Sequence, residues 1–149
     1  MSARFKISGF EGVEAALREL KKPTAKAVVR RVLKAALEPV AVAARTLAPV
    51  AEGELRDSIV VSSTLNRSAR RKEPKASAGE KATRVTMYAG TADRQGVPRE
   101  FGTDRSPAHP FLRPAWDGGR DGALRSIEEN MGAEPRRAID RAAKKAGKK

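Results

Sequence analysis

Between Thr24 and Leu47, apolar residues recur three and four positions apart, through Val28, Val29, Val32, Leu33, Ala36, Leu37, Val40, Ala43, Ala44 and Leu47. This spacing predicts one long amphipathic helix, and a helix with so continuous an apolar stripe must be covered by something. Pro23 and Thr24 supply a start signal. Small alanines at 35, 36, 41, 43, 44 and 48 allow a sheet or another helix to approach closely. Pro39 removes the donor to the carbonyl of residue 35, so either the helix kinks there or two helices meet near Glu38.

The neighbouring stretches are shorter. Phe5, Ile7 and Phe10 alternate with polar residues, and Val13, Ala16, Leu17 and Leu20 predict a short helix from 13 to 21. After the long helix, Glu54 to Ser58 reads as a single polar turn. Ile59, Val60 and Val61 then mark a strand over 58 to 64, with a second strand-like run at Val85, Met87 and Tyr88. The two predict an antiparallel hairpin whose long tip, 66 to 84, reads as a mobile basic loop. Val97 to Phe101 gives a third short strand or a helical turn, with Pro98 arguing for an edge. A final helix enters at Pro110 through Phe111, Leu112, Ala115 and Trp116. Gly118 and Gly119 interrupt it, it resumes through Ala123, Leu124, Ile127 and Met131, and it ends near Gly132. The expectation is one α+β domain over 1 to 132 and a disordered basic tail over 133 to 149.

Charge separates binding from chemistry. The chain carries a formal net charge of +13, and two segments hold most of it. Residues 66 to 84 place Arg67, Arg70, Arg71, Lys72, Lys75, Lys81 and Arg84 against Glu73 and Glu80. Residues 133 to 149 place Arg136, Arg137, Arg141, Lys144, Lys145, Lys148 and Lys149 against Glu134 and Asp140. Such runs attract polyanions without reading sequence, so Arg67, Arg70, Arg71, Lys72, Lys75, Arg137, Arg141, Lys144 and Lys145 are the candidate phosphate contacts. The chain has no cysteine and one histidine, His109, which removes thiolate chemistry and the usual zinc sets. Its glycines match neither a dinucleotide fingerprint nor a phosphate loop, and no base stands beside a nucleophile, so neither an enzyme nor a cofactor is expected. Absence of a long apolar run and of a signal-peptide pattern points to a protein made in the cytoplasm, or in something assembled there, with no membrane partner.

The most specific stretch is Glu100 to Trp116, E-F-G-T-D-R-S-P-A-H-P-F-L-R-P-A-W. Pro107, Pro110 and Pro114 stiffen it, and it concentrates Phe101, Phe111, Leu112 and Trp116 in a chain that is only 4% aromatic. A segment both stiff and apolar docks on its own core or meets a partner. Together with L-A-P-V-A-E-G-E-L-R-D-S-I at 47 to 59, the blocks E-F-G-T at 100 to 103 and H-P-F-L-R-P-A at 109 to 115 resemble the small tail-completion or head-tail joining proteins of long-tailed double-stranded DNA phages and gene transfer agents. The resemblance spans about residues 5 to 131. It implies an α+β subunit, a long helix on a small antiparallel sheet, that joins copies of itself in a ring of about six at the head-proximal end of the tail. It further implies a virion location at the head-tail junction, contact with neighbouring neck and tail proteins and non-specific contact with packaged DNA through phosphates, and no reaction. Under it, Glu100, Phe101, Gly102, Thr103, Pro110, Phe111, Leu112, Arg113, Pro114 and Trp116 anchor the subunit or its interface, with Arg113 pairing a carboxylate. The competing reading is a non-specific nucleic-acid-binding basic protein.

Overall fold

A computed structural model describes residues 12–50, 54–73 and 84–147, together with Lys75, Ser77 and Gly79. The alternating segment at Phe5 to Phe10, Gly53 and Lys81 lie outside the described residues. In chain order the elements are α1 (Val13–Glu19), α2 (Lys22–Leu47), α3 (Glu54–Asp57), β1 (Ile59–Ser62), α4 (Arg67–Lys72), β2 (Tyr88–Thr91), α5 (Gly96–Phe101) and α6 (Leu112–Ala146). Long helices with a small two-stranded antiparallel sheet make this an α+β fold.

Helix α2 runs unbroken through Pro39. Both Pro39 and Ala35 lie on the exposed side, so water can serve the carbonyl that the proline leaves without a donor. The opposite stripe, Val28, Val32, Ala36, Val40, Ala41 and Ala44, is buried. Its main cover is α6, with β1 and β2 over the C-terminal half and α1 beside the N-terminal half. Phe111 and Ile59, both fully buried, close the core around Ala41, Ala44 and Ala48. Lower down, Val13, Val32 and Met131 meet, and then Leu20, Val28 and Ala138.

The sheet is shorter than its sequence pattern suggests. Ile59 pairs with Thr91 and Ser62 with Tyr88, which leaves Val85 and Met87 ahead of β2 rather than within it. The cause is on the other strand, which ends at Ser62, four residues before Asn66, the N-cap of α4. Ile59 and Val61 face the core, while Val60 points outward. Arg45 fastens β1 to α2, its Nε donating to the Ile59 carbonyl at 2.9 Å and its Nη1 to Glu38 at 3.2 Å.

Two expectations need correction. Helix α6 is neither interrupted at Gly118 and Gly119 nor ended near Gly132; it is a single 35-residue helix. A Cβ at position 119 would sit 2.8 Å from Val40 Cγ2, so the glycine is where α6 and α2 approach most closely rather than where the helix breaks. Nor is 133 to 146 a disordered tail. Pro135 and Ala138 are buried, and Arg31 reaches across from α2 to Glu134 at 3.1 Å, so tertiary contacts hold a segment that would fray alone. Within the expected basic loop, residues 67 to 72 form α4, started by Asn66, whose Oδ1 accepts from the Ala69 N–H at 2.8 Å.

Candidate assembly interface

The segment from Gly96 to Trp116 folds into a clasp around one carboxylate. Helix α5 takes the helical alternative offered by the sequence, and it turns Glu100 inward and Phe101 outward. Gly102 then takes φ +77°, a left-handed conformation that a side chain resists, and a Cβ there would meet the Ala108 nitrogen at 2.9 Å. Thr103 and Ser106 exchange backbone hydrogen bonds of 2.9 and 3.2 Å, and His109 N–H donates to the Arg99 carbonyl at 2.7 Å. The chain thereby returns beside α5 just where α6 begins.

A helix start leaves backbone donors without partners, and α6 has no side-chain cap of its own. Glu100 supplies one from eleven residues back. Its Oε2 accepts from the N–H of Phe111 at 2.8 Å and of Leu112 at 2.9 Å, and its Oε1 accepts from Arg113 N–H and Arg113 Nε, both at 3.0 Å. Arg113 Nη2 also donates to the Glu100 carbonyl at 2.9 Å. Burial pushes this carboxyl up, but the three backbone donors and the Arg113 side chain together hold it below the usual carboxylate range. The partial positive charge of the helix terminus acts in the same direction.

The apolar residues of the segment divide into two groups. Phe111 is wholly buried and belongs to the subunit core, with Leu112 half-buried beside it. Phe101 and Trp116 are 64% and 48% exposed, and Arg113 lies over the Phe101 ring at 4.8 Å. Pro110, Pro114 and Thr103 are exposed. Sequence reading missed Val97, 68% exposed, and Val60, whose position on the outer strand face becomes visible only with the register. Val97, Phe101 and Leu112 line one depression of about 520 Å³; Leu37, Val60 and Trp116 line another of about 620 Å³. Both include Asn66, Gly90, Thr91 and Ala92, so the two depressions adjoin across β2, with Val97 and Phe101 in one and Val60 and Trp116 in the other.

The basic residues are also divided. Arg67, Arg70, Arg71 and Lys72 are exposed on α4, followed by exposed Lys75. Arg137 and Arg141 share Glu134 with Arg31, at 3.4, 3.4 and 3.1 Å, while Lys144 and Lys145 stand exposed in the last turn of α6. Burial raises the Glu134 carboxyl, and its three arginines more than offset this, leaving it below the ordinary value. Among the described residues no cluster of histidine and acidic side chains could hold a metal ion, and no helix is long and apolar enough to cross a membrane.

Comparison with known proteins gives one match. The family described as "Bacteriophage HK97-gp10, putative tail-component" matches residues 11–91, just over half the chain, from α1 to the end of β2. No curated protein and no solved structure matches it. The clasp and α6 lie beyond the matched span.

Proposed function

We infer, from a chain that belongs to the HK97-gp10-like family of bacteriophage tail components, a structural virion protein that assembles with its own copies into a ring. The ring closes the head-proximal end of the tail, completes the head-tail junction and catalyses no reaction. The supporting observation is the exposure of Val97, Phe101, Val60 and Trp116 in two adjoining depressions across β2. Four large side chains exposed on one face of a small subunit mark a surface meant to be covered. The clasp beneath is already rigid: Glu100 fixes α5 to α6, and little conformational entropy remains to be lost when the face docks. A closed ring buries one such patch against a different patch of the next copy.

The test is electron microscopy of particles from a producing strain that lacks the gene, complemented with wild type, Phe101→Ser or Trp116→Ser. Filled heads beside unattached or abnormal tails, rescued by wild type and not by either variant, is the expected result. Normally joined particles without the gene would overturn the junction role. Full rescue by both variants would remove this face from assembly.

A further inference from the structure

We propose that the cleft between α2, α4 and the approach to β2 is a binding site for the phosphodiester backbone of nucleic acid. Arg30, Arg70, Lys75 and Arg84 line this cleft of about 530 Å³, and they come from three stretches of the chain, at 30, 70 to 75 and 84, that only folding brings together. Each is exposed, and none forms an ion pair among the described residues. Among the described residues Glu73 is the one acid in the lining, and it accepts a hydrogen bond from the Tyr88 hydroxyl. That bond ties the end of α4 to β2, and the described lining carries four positive charges against one negative.

The chemistry of the lining selects among polyanions. Three of the four cations are arginines, whose planar forks suit paired phosphate oxygens, and Ser63, Thr64 and Thr86 add hydroxyl donors between them. Among the described residues Val85 is the one aliphatic side chain in the lining, beside the Tyr88 ring, so an acidic peptide finds few apolar anchors there. Charges and hydroxyls of this kind meet phosphates whatever the bases, and binding is therefore indifferent to sequence. This site differs from the one charge alone suggests. Arg30 joins it from a distant helix, while Arg137 and Arg141, which sequence reading grouped with the basic loop, lie apart from it and share the Glu134 carboxylate with Arg31. It is independent of the ring, being a property of the isolated subunit.

The test is a fluorescence-anisotropy titration of the full-length chain with random-sequence duplex DNA between about 50 and 200 mM salt. Each phosphate neutralised contributes about 0.9 to the slope of log affinity against log salt, so the double variant Arg30→Gln, Arg84→Gln should flatten the slope by about 1.8. Arg137→Gln with Arg141→Gln should change it by less than about half a unit. Because a variant can perturb the fold, wild type is also treated with an arginine-specific dicarbonyl reagent and mapped by mass spectrometry. Duplex should protect Arg30 and Arg84 and leave Arg120 reactive. Equal flattening in both double variants, or no protection of Arg30 and Arg84, would overturn the site. Displacement of duplex by polyglutamate at equal charge would overturn its assignment to nucleic acid.

Discussion

Replacing Glu100 with glutamine keeps the shape of the side chain and removes its charge at the point where α5 and α6 are joined. The carboxylate accepts four hydrogen bonds at 2.8 to 3.0 Å and its side chain is only 4% exposed. A glutamine oxygen can keep two of these as neutral bonds, while its amide hydrogens are driven against the other two donors. Bonds to a charged partner are worth about 1.5 to 3 kcal/mol each, and a helix cap about 1 kcal/mol. Arg113 is more than half exposed and recovers water, so the loss is dominated by the backbone donors, at about 2 to 3 kcal/mol. Urea unfolding followed by circular dichroism at neutral pH measures this difference. The pH dependence adds a second constraint. Because the folded-state pKa lies below the usual value, the contribution is complete above the unfolded value of about 4.3 and is lost as pH falls through the folded one. The gap between wild type and Glu100→Gln should therefore be level near neutrality and shrink in acid below about pH 4. A neutral-pH gap under about 0.5 kcal/mol, or one as large in strong acid as at neutrality, would refute the cap.

Helix α6 offers a contrast within two residues: Gly118 faces open space and Gly119 meets Val40, so Gly118→Ala should stabilise by about 0.5 to 1 kcal/mol while Gly119→Ala destabilises. Thermal melts of the pair check it. Phe111→Ala should cost about 3 to 5 kcal/mol because it empties the core, whereas Phe101→Ser should leave the melting of the isolated subunit within about 0.5 kcal/mol of wild type. Gly102→Ala should cost about 1 to 2 kcal/mol from the left-handed backbone alone, with the close Ala108 nitrogen adding to it. The Tyr88 phenol, raised chiefly by its hydrogen bond to Glu73, should titrate above the ordinary tyrosine value, and Glu73→Gln should bring its tyrosinate absorbance titration back down.

Much of the candidate site was written locally. Three prolines and four large apolar side chains within 100 to 116 announce a stiff segment that docks, whereas the pairing of Arg113 with a carboxylate was implied by the family resemblance. What could not be read was the sorting of those side chains. Phe111 and Phe101 have the same chemistry and comparable neighbours, yet one is fully buried and the other 64% exposed. The difference arises from Gly102, which reverses the chain so that Glu100 faces α6 and the ring beside it faces outward. The basic residues follow the same logic. Their positions are plain, but whether a given arginine meets Glu134 or an open cleft depends on contacts between distant segments.

The sequence by itself determined the elements whose signal is periodic and local: the stripe of α2, the short helix α1, the β-branched run of β1 and the polar turn of α3. Each needs only its own side chains to favour one face over another. It also determined the net charge and the α+β class. Tertiary structure alone decided that α6 is unbroken and runs on to Ala146. Its glycines, Pro135 and many charges weaken any local preference for a helix, and it persists because the buried stripe of α2 is covered along its length by Phe111, Ala115, Ala123, Met131 and Ala138. The free energy that orders these residues comes from apolar surface on another element, and a pattern within one segment cannot report what lies across from it.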